Sequence, residues 1–226
     1  MKTVCVITGG GSGMGLATAK ILGKEHHIII VGRTLQKLET ALQELRSEGV
    51  EAESFSCDIA DRQSVSKLAA YAKSIGKIAS VIHATGMSPH MGKARQIMEA
   101  NALGTINIHN AFYDQMEEGS CVVDVSSISG HMSPKLLTPM GIYKYSRIDV
   151  EKFMRKMMRR INLFPKKLRP FVVYAFSKNT IFCVQAAGHR VFLWAPEAEH
   201  ILHRGLSKEH YKSYVKWYLF FKSNEK

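Results

Sequence analysis

The fold is decided by the stretch Val4-Cys5-Val6-Ile7-Thr8-Gly9-Gly10-Gly11-Ser12-Gly13-Met14-Gly15. An apolar run of strand type leads into a cluster of glycines, and a helical pattern over 14–24 follows it. Glycines let such a turn close tightly, and the start of the helix offers free N–H groups and positive potential to a phosphate. The stretch therefore predicts a strand, turn and helix that bind a dinucleotide through its pyrophosphate.

The alternation of strand and helix patterns continues through the first half of the chain. Apolar runs predict strands over 4–8, 28–32, 53–58, 81–84 and 121–126. Apolar residues three and four apart predict helices over 14–24, 34–48, 61–75 and 94–117. This order predicts an α/β fold with a Rossmann-like doubly wound parallel sheet, in a single domain of residues 1–226.

Composition narrows the class of protein. Hydrophobic residues make up 46% and charged residues 22% of the chain, which excludes a largely disordered protein. No apolar stretch approaches the roughly 20 residues that span a bilayer, and the first apolar run leaves no room for a signal peptide, so we expect a cytoplasmic protein. The four cysteines have neither CxxC nor histidine spacing, and we expect reduced thiols and no metal.

The glycine spacing TGxxxGxG resembles that of the short-chain dehydrogenase/reductase family. The resemblance implies cofactor contacts near the turn, near the adenine and at the end of the fourth strand, where His-Ala-Thr-Gly replaces the family's Asn-Asn-Ala-Gly. The implied contacts are Gly9, Ser12, Gly13, Met14, Gly15, Asp58, Ile59, Ala84, Thr85 and Gly86. Locally, Asp58 could equally be the N-cap of the next helix.

Arg33 directly follows the second predicted strand, where the adenosine ribose of a dinucleotide lies. An acidic residue there would accept a hydrogen bond from the 2′-hydroxyl, which arginine cannot do. The forked guanidinium suits a 2′-phosphate, and we therefore expect NADP(H) as the cofactor. The alternative is that Arg33 is a solvated loop residue.

The resemblance also implies an Asn, Ser, Tyr and Lys catalytic set. Asn101 occupies the helical position that supports a proton-relay water through its backbone, and Ser127 ends the fifth strand where the family places the serine that binds the substrate carbonyl. Read without the family, adjacent serines at a strand end are usually turn formers.

Two tyrosines compete for the catalytic position. Tyr143 lies nearer in sequence to Ser127, but Arg147 stands where the motif requires lysine. Tyr174 is followed by Lys178 in the form YxxSK, and the i, i+4 spacing puts both on one helix face. Positive charge near the phenol lowers the tyrosine pKa, so we select Tyr174. By the family analogy, Lys178 also contacts the nicotinamide ribose.

This choice implies a helical insertion over 128–170. A subgroup resembling the bacterial 3-alpha-hydroxysteroid dehydrogenase/carbonyl reductases carries such an insertion. Between 147 and 169 the chain has nine basic residues and two acids, and 148–163 predicts an amphipathic helix. This helix could border the substrate pocket, pack between subunits, lie on an anionic membrane or nucleic acid, or present a solvated basic face.

Beyond Lys178 the resemblance weakens. Residues 188–196 are similar to the sixth strand of the family, and 197–226 form an atypical carboxyl-terminal segment. We expect hydride transfer between NADP(H) and a small apolar ketone or secondary alcohol, in a homodimer or homotetramer, with no nucleic acid and no stable membrane insertion. The alternative is an NADP(H)-binding sensor or an inactive family member acting as an interaction protein.

Overall fold

A computed structural model describes residues 2–127, 129–132, 137–185 and 191–194, of which 131–132, 182–185 and 191–194 are described by their backbone alone. The chain separates into two compact units, Met1–Ala195 and Pro196–Lys226. The second unit, with the atypical segment 197–226, lies outside the described residues, so the expectation of one domain stays a prediction.

Six parallel strands form the centre of the first unit, in the order β3-β2-β1-β4-β5-β6. The strands are β1 (Val4–Thr8), β2 (His27–Gly32), β3 (Ala52–Ser56), β4 (Ile78–His83), β5 (Cys121–Val125) and β6 (Val191–Trp194). Their order reverses between β1 and β4, and ligands of such sheets bind outside the carboxyl ends of the strands at that point. The doubly wound parallel sheet is confirmed, including the sixth strand.

Helices connect the strands where the apolar periodicity predicts them. The connecting helices are α1 (Gly13–Leu22), α2 (Leu35–Ser47), α3 (Arg62–Ile75), α4 (Ala94–Met98) and α5 (Gly104–Tyr113), with a π-helix (Glu99–Leu103) between the last two. Asp61 caps α3 by accepting from the N–H of Gln63, whereas Asp58 accepts from the N–H of Ala60 in the turn before it. The alternative in which Asp58 is the N-cap is therefore wrong.

The sheet is buried on both faces. Val4 and Val6 point to the side of α3 and α5, and Cys5 and Ile7 point to the side of α1 and α2. The alternation follows from the two-residue period of a strand. Cys5, Cys57 and Cys121 are free thiols, as expected. No helix in the described part of the chain is long and apolar enough to cross a membrane.

The segment after β5 is helical. It contains α6 (Ser129–Met132), α7 (Met140–Tyr143), α8 (Tyr145–Ile148), α9 (Val150–Asn162) and the start of α10 (Arg169–Gln185). The amphipathic prediction for 148–163 is confirmed, because Phe153, Met157 and Ile161 are fully buried along one stripe of α9. They pack with Val173 and Phe176 of α10 in a third core cluster. The segment is thus part of the core that supports α10.

Truncation of Phe153 tests this role. The Phe153→Ala substitution removes a fully buried ring from the α9–α10 cluster, and we expect it to lower the free energy of unfolding by about 3–5 kcal/mol. Leu163→Ala, at an exposed position of the same segment, is the control and should change it by less than about 0.5 kcal/mol. Urea denaturation measures both, and equal effects would show that α9 does not contribute to the core.

Candidate active site

The glycine turn joins β1 to α1 at the carboxyl edge of the sheet. The N–H of Gly9 donates to the carbonyl of Val31 at 2.8 Å, so the turn is tied to the end of β2. A Cβ on Gly15 would overlap the carbonyl oxygen of Gly9. A Cβ on Gly13 would meet no atom within 4 Å, but its φ of +54° favours glycine there. Ser12 is extended and makes no side-chain cap, so the first N–H groups of α1 stay available to an anion.

A cleft of about 490 Å³ runs from this turn across the ends of β2 and β4. Its walls include seven of the predicted cofactor residues: Gly9, Ser12, Arg33, Asp58, Ile59, Thr85 and Gly86. Gly13, Met14, Gly15 and Ala84 belong to the same turn and strand end but do not line the cleft. The walls present glycine backbone to a pyrophosphate and cations to a phosphate. The residues present therefore fit a dinucleotide.

Lys37 is a second cation in this cleft that the sequence analysis missed. It lies in the first turn of α2, four residues after Arg33, and both side chains line the cleft with Thr34. The four-residue spacing at a helix start was the available signal, because residues at that spacing lie close together. Two cations at the end of β2 suit a phosphate better than one.

Asn101 is buried in the π-helix and bridges two elements. Its amide nitrogen donates to the carbonyl of Met87 at 2.9 Å and to Ser177 Oγ at 3.2 Å, and its oxygen accepts from the N–H of Met87 at 2.7 Å. These bonds tie the loop after β4 to α10. π-Turns within helices are rare and often occur at functional sites, which agrees with the position predicted for Asn101.

Lys178 lies beside Asn101 and Gly86. Its ammonium donates to the carbonyl of Val125 at 2.9 Å, and a Cβ on Gly86 would lie 3.3 Å from Lys178 Nζ and 3.5 Å from Asn101 Oδ1. Burial lowers the pKa of Lys178 to about 8, against the opposing charge of Asp124. A lysine with this pKa can exchange a proton near neutral pH.

Ser127 and Tyr174 complete the predicted set, but no hydrogen bond joins their side chains in the described part of the chain. Ser127 is buried after β5, and its oxygen accepts from the N–H of Ser129 at 3.3 Å. Tyr174 is half-buried on α10, four residues before Lys178, and its hydroxyl has no hydrogen-bond partner among the described residues. The structure therefore joins Asn101 and Lys178 and leaves the phenol of Tyr174 without a partner there.

The rival tyrosine is a core residue. Tyr143 is 3% exposed, and its hydroxyl donates to the carbonyl of Phe176 at 2.9 Å. Its ring lies 6.1 Å from that of Phe153. A hydroxyl bonded to helix backbone inside the core is poorly placed to reach a substrate, which favours the choice of Tyr174.

His83, which replaces the first asparagine of the family motif, is buried behind the glycine turn. Its Nδ1 lies 2.8 Å from Thr8 Oγ1 and its Nε2 3.1 Å from Thr105 Oγ1. Thr8 Oγ1 accepts from the N–H of Thr85, and Thr105 Oγ1 donates to the carbonyl of Asn101. Thr105 has given its hydroxyl proton to Asn101 and therefore accepts from Nε2–H. Burial lowers the pKa of His83 to about 4 and so keeps the ring neutral, with Nδ1 accepting from the hydroxyl of Thr8. The chain of bonds connects the glycine turn to the π-helix.

A buried, hydrogen-bonded pair of side chains lies next to this histidine. Asp124 Oδ2 is 2.7 Å from Nε2 of His109, and Asp124 is paired with His83 across β4 and β5. Burial favours the neutral carboxyl, yet the charge and hydrogen bond of His109 lower the pKa of Asp124 below its usual value. Sequence periodicity gave no signal for either His109 or Asp124, because both occupy positions where an apolar residue is usual.

Comparison with known proteins identifies related chains. The family model for short chain dehydrogenases matches residues 3–164. Tropinone reductase-like 3 of Erythroxylum coca is 24% identical over 165 residues, which cover 69% of this chain and 64% of that protein.

Solved structures share the fold. An NAD+-bound xylitol dehydrogenase superposes with a TM-score of 0.59 and 21% identity, covering 80% of this chain and 62% of that one. A polyketide ketoreductase variant of the actinorhodin system, solved with NADPH, gives 0.54 and 18% identity, covering 86% and 96%. The chain thus spans less than two thirds of tropinone reductase-like 3 and of the xylitol dehydrogenase.

Acid should destabilise the protein through His83. Burial lowers the pKa of His83 to about 4 from its ordinary value of 6.5. Between pH 4 and 6.5 the imidazole is protonated in the unfolded chain but not in the folded one. The contribution of His83 to the free energy of unfolding is therefore full above about pH 6.5 and falls as the pH drops towards 4. His83→Asn should lower the slope of the free energy of unfolding against pH, by an amount that corresponds to at most about one proton taken up on unfolding.

Urea denaturation at a series of pH values measures the slope for both proteins. The Asp124–His109 pair is kept in both, so the difference reports on position 83. An unchanged slope in His83→Asn would show that His83 is not held neutral in the fold.

Proposed function

The chain belongs to the short-chain dehydrogenase family, and on this premise we propose that it is an NADP(H)-dependent oxidoreductase acting on a ketone or secondary alcohol. The observation that carries the proposal is the meeting of Lys178 and Asn101 beside Gly86, at the edge of the sheet where the glycine turn opens its cleft. A nicotinamide dinucleotide bound in the cleft would supply or accept the hydride.

The preference for NADP(H) rests on Arg33 and Lys37. Both line the end of the cleft at β2, where the ribose 2′ position of a bound dinucleotide would lie. Two carboxylates line this cleft: Asp58 already accepts a hydrogen bond from the N–H of Ala60, and Glu99 forms an ion pair with Arg95 at 2.8 Å. The two structural neighbours carry NAD+ and NADPH respectively, so the assignment depends on the two cations.

Four side chains divide the work on the substrate. Ser127 would hold the carbonyl oxygen, and Tyr174 would exchange the proton at its phenolic oxygen. Lys178 would contact the nicotinamide ribose and, as a cation, favour the phenolate form of Tyr174. Asn101 would hold α10 and the loop after β4 in place and support a relay water through its backbone.

The substrate is proposed to be a small apolar carbonyl or alcohol. Met87 and Met91 line the cleft beyond Gly86, and thioether side chains adapt to apolar molecules of varied shape. We also propose that the protein is a cytoplasmic homodimer or homotetramer. The segment 128–170 remains a proposed insertion of the kind found in the bacterial 3-alpha-hydroxysteroid dehydrogenase/carbonyl reductase subgroup.

A second candidate function is that of an NADP(H)-binding protein without turnover. One observation favours it: the ammonium of Lys178 donates to the carbonyl of Val125, while the hydroxyl of Tyr174 has no partner in the described part of the chain. Such a protein would bind the dinucleotide in the same cleft but would not use Tyr174. The effect of substituting Tyr174 therefore distinguishes the two functions.

Removal of a cation at β2 tests the cofactor assignment. Arg33→Ser and Lys37→Ser should each raise the Kd for NADPH roughly 10- to 100-fold, because each removes a charged hydrogen bond to the 2′-phosphate. The Kd for NADH should change little. Fluorescence titration measures both, with Arg46→Ser at the far end of α2 as the control. Equal loss for the two nucleotides would contradict a 2′-phosphate site.

Substitution of each tyrosine tests the mechanism. Tyr174→Phe should lower kcat for NADPH-dependent reduction of aryl ketones, quinones or steroids about 100-fold or more, with the Kd for NADPH unchanged. Tyr143→Phe removes the bond to Phe176 and should lower stability by about 1 kcal/mol while leaving kcat near the wild-type value.

Steady-state kinetics and urea denaturation of both variants give the answer. The reverse pattern would transfer the catalytic role to Tyr143. Turnover that is unaffected by either substitution, or absent from the wild type, would favour the binding protein.

A further inference from the structure

The outer side of α9 carries a continuous row of cations. Five basic residues recur three and four positions apart, and in a helix this spacing puts them on one face. We call them the basic face of α9: Lys152, Arg155, Lys156, Arg159 and Arg160. Phe153, Met157 and Ile161 occupy the opposite stripe and are fully buried. Arg155 and Arg159 are exposed and the other three cations are half-buried, so the face lies on the solvent side of the helix.

The positive charge of this face is not balanced by an ion pair among the residues that the structure describes. Within the described part of the chain, none of its five cations takes part in an ion pair. Of the two acids in the segment 147–169, Asp149 caps α9 by accepting from the N–H of Lys152 at 2.9 Å, and Glu151 lies in the first turn. Like charges at these spacings repel and weaken a helix. An anionic partner would relieve that repulsion.

Tyr145 concentrates the charge at the start of the face. The ammonium groups of Lys144, Lys152 and Lys156 lie 5.3, 4.6 and 5.3 Å from the centre of its ring. Attraction between a cation and an aromatic ring holds these flexible side chains near one another. The cations are thus gathered at one place on the surface.

Exposed aliphatic residues accompany the cations. Leu163 is 74% exposed and follows Arg159 and Arg160 by four and three positions, so it lies at the end of the basic face. Ile148, 78% exposed, directly precedes the cap of α9, and Leu168, 51% exposed, follows Lys166 and Lys167. Cations beside exposed aliphatic side chains match the boundary between lipid headgroups and acyl chains.

Other occupants fit less well. A nucleic acid would satisfy the cations but leave Ile148 and Leu163 in water, and the ring of Tyr145, which lies among these cations, is surrounded by lysines rather than open for base stacking. A second copy of this chain docked by two-fold symmetry would bring the same cations against each other. Both arguments favour a lipid surface.

We propose that the basic face of α9, with Ile148 and Leu163, docks the protein on an anionic phospholipid surface. The contact is peripheral, because the apolar stripe of α9 is already buried against α10. Phosphate headgroups meet the cations, and the two exposed aliphatic residues enter the headgroup layer. The inference does not depend on the proposed oxidoreductase activity.

Sedimentation of the 226-residue chain with vesicles tests the proposal. The chain should bind vesicles of equimolar phosphatidylcholine and phosphatidylserine and should not bind vesicles of phosphatidylcholine alone. Binding should weaken strongly as salt is raised towards 1 M, where the screening length falls to about 3 Å. Absence of binding to the anionic vesicles, or equal binding to both kinds, would overturn the proposal.

Two double variants distinguish binding through the basic face of α9 from attraction caused by the net positive charge of the whole chain. Each cation near an anionic bilayer contributes about fivefold to the partition coefficient, so Arg155→Gln with Arg159→Gln should weaken binding about 25-fold. The matched control is Arg62→Gln with Lys67→Gln, two exposed cations of α3 with the same loss of net charge. The control should stay within about twofold of wild type. Equal weakening in both pairs would mean diffuse attraction and would overturn the assigned site.

The aliphatic contribution is tested at raised salt. Leu163→Ser should weaken the remaining binding several-fold, whereas Leu35→Ser, an exposed leucine of α2, should not. Thermal unfolding confirms that each variant is folded. A different result would point to a nucleic acid. If the chain binds a single-stranded RNA oligonucleotide but not anionic vesicles, and Arg155→Gln with Arg159→Gln abolishes the RNA binding, the proposal is overturned.

Discussion

The close approach of the Gly9 carbonyl to Gly15 is the constraint on which the site depends. It lets α1 begin directly above the sheet, with its unpaired N–H groups facing the cleft. The bond from Gly9 to Val31 fixes the same turn to β2, where Arg33 follows. The hydrogen bond from Gly9 to Val31 thus fixes the distance between the turn that would bind a pyrophosphate and the cations that would bind a 2′-phosphate.

A second set of bonds carries this geometry from the turn to the other strands. His83 joins Thr8, the last residue of β1, to Thr105 of α5, and Thr105 in turn donates to the carbonyl of Asn101. Asn101 then holds the loop after β4 and Ser177 of α10. Because each member is buried and satisfied, the network positions Lys178 more rigidly than packing alone would.

Helix α9 has two different roles on its two sides. The buried stripe of α9 supports α10, which carries Tyr174 and Lys178. Its opposite face is free to carry cations, since nothing in the described core depends on it. The same amphipathic pattern therefore supports the site from one side and presents a charged surface from the other.

The sequence by itself determined the parallel sheet, the glycine turn, Arg33 and the amphipathic insertion helix, because each follows from local periodicity or backbone chemistry. Only the tertiary structure showed that Lys37 shares the cleft with Arg33, that His83 and the Asp124–His109 pair lie beneath the site, and that Tyr143 is a core residue. Apart from Lys37, whose four-residue spacing from Arg33 is visible in the sequence, these facts depend on residues distant in sequence meeting in a buried space. Partners of that kind leave no pattern along a single chain.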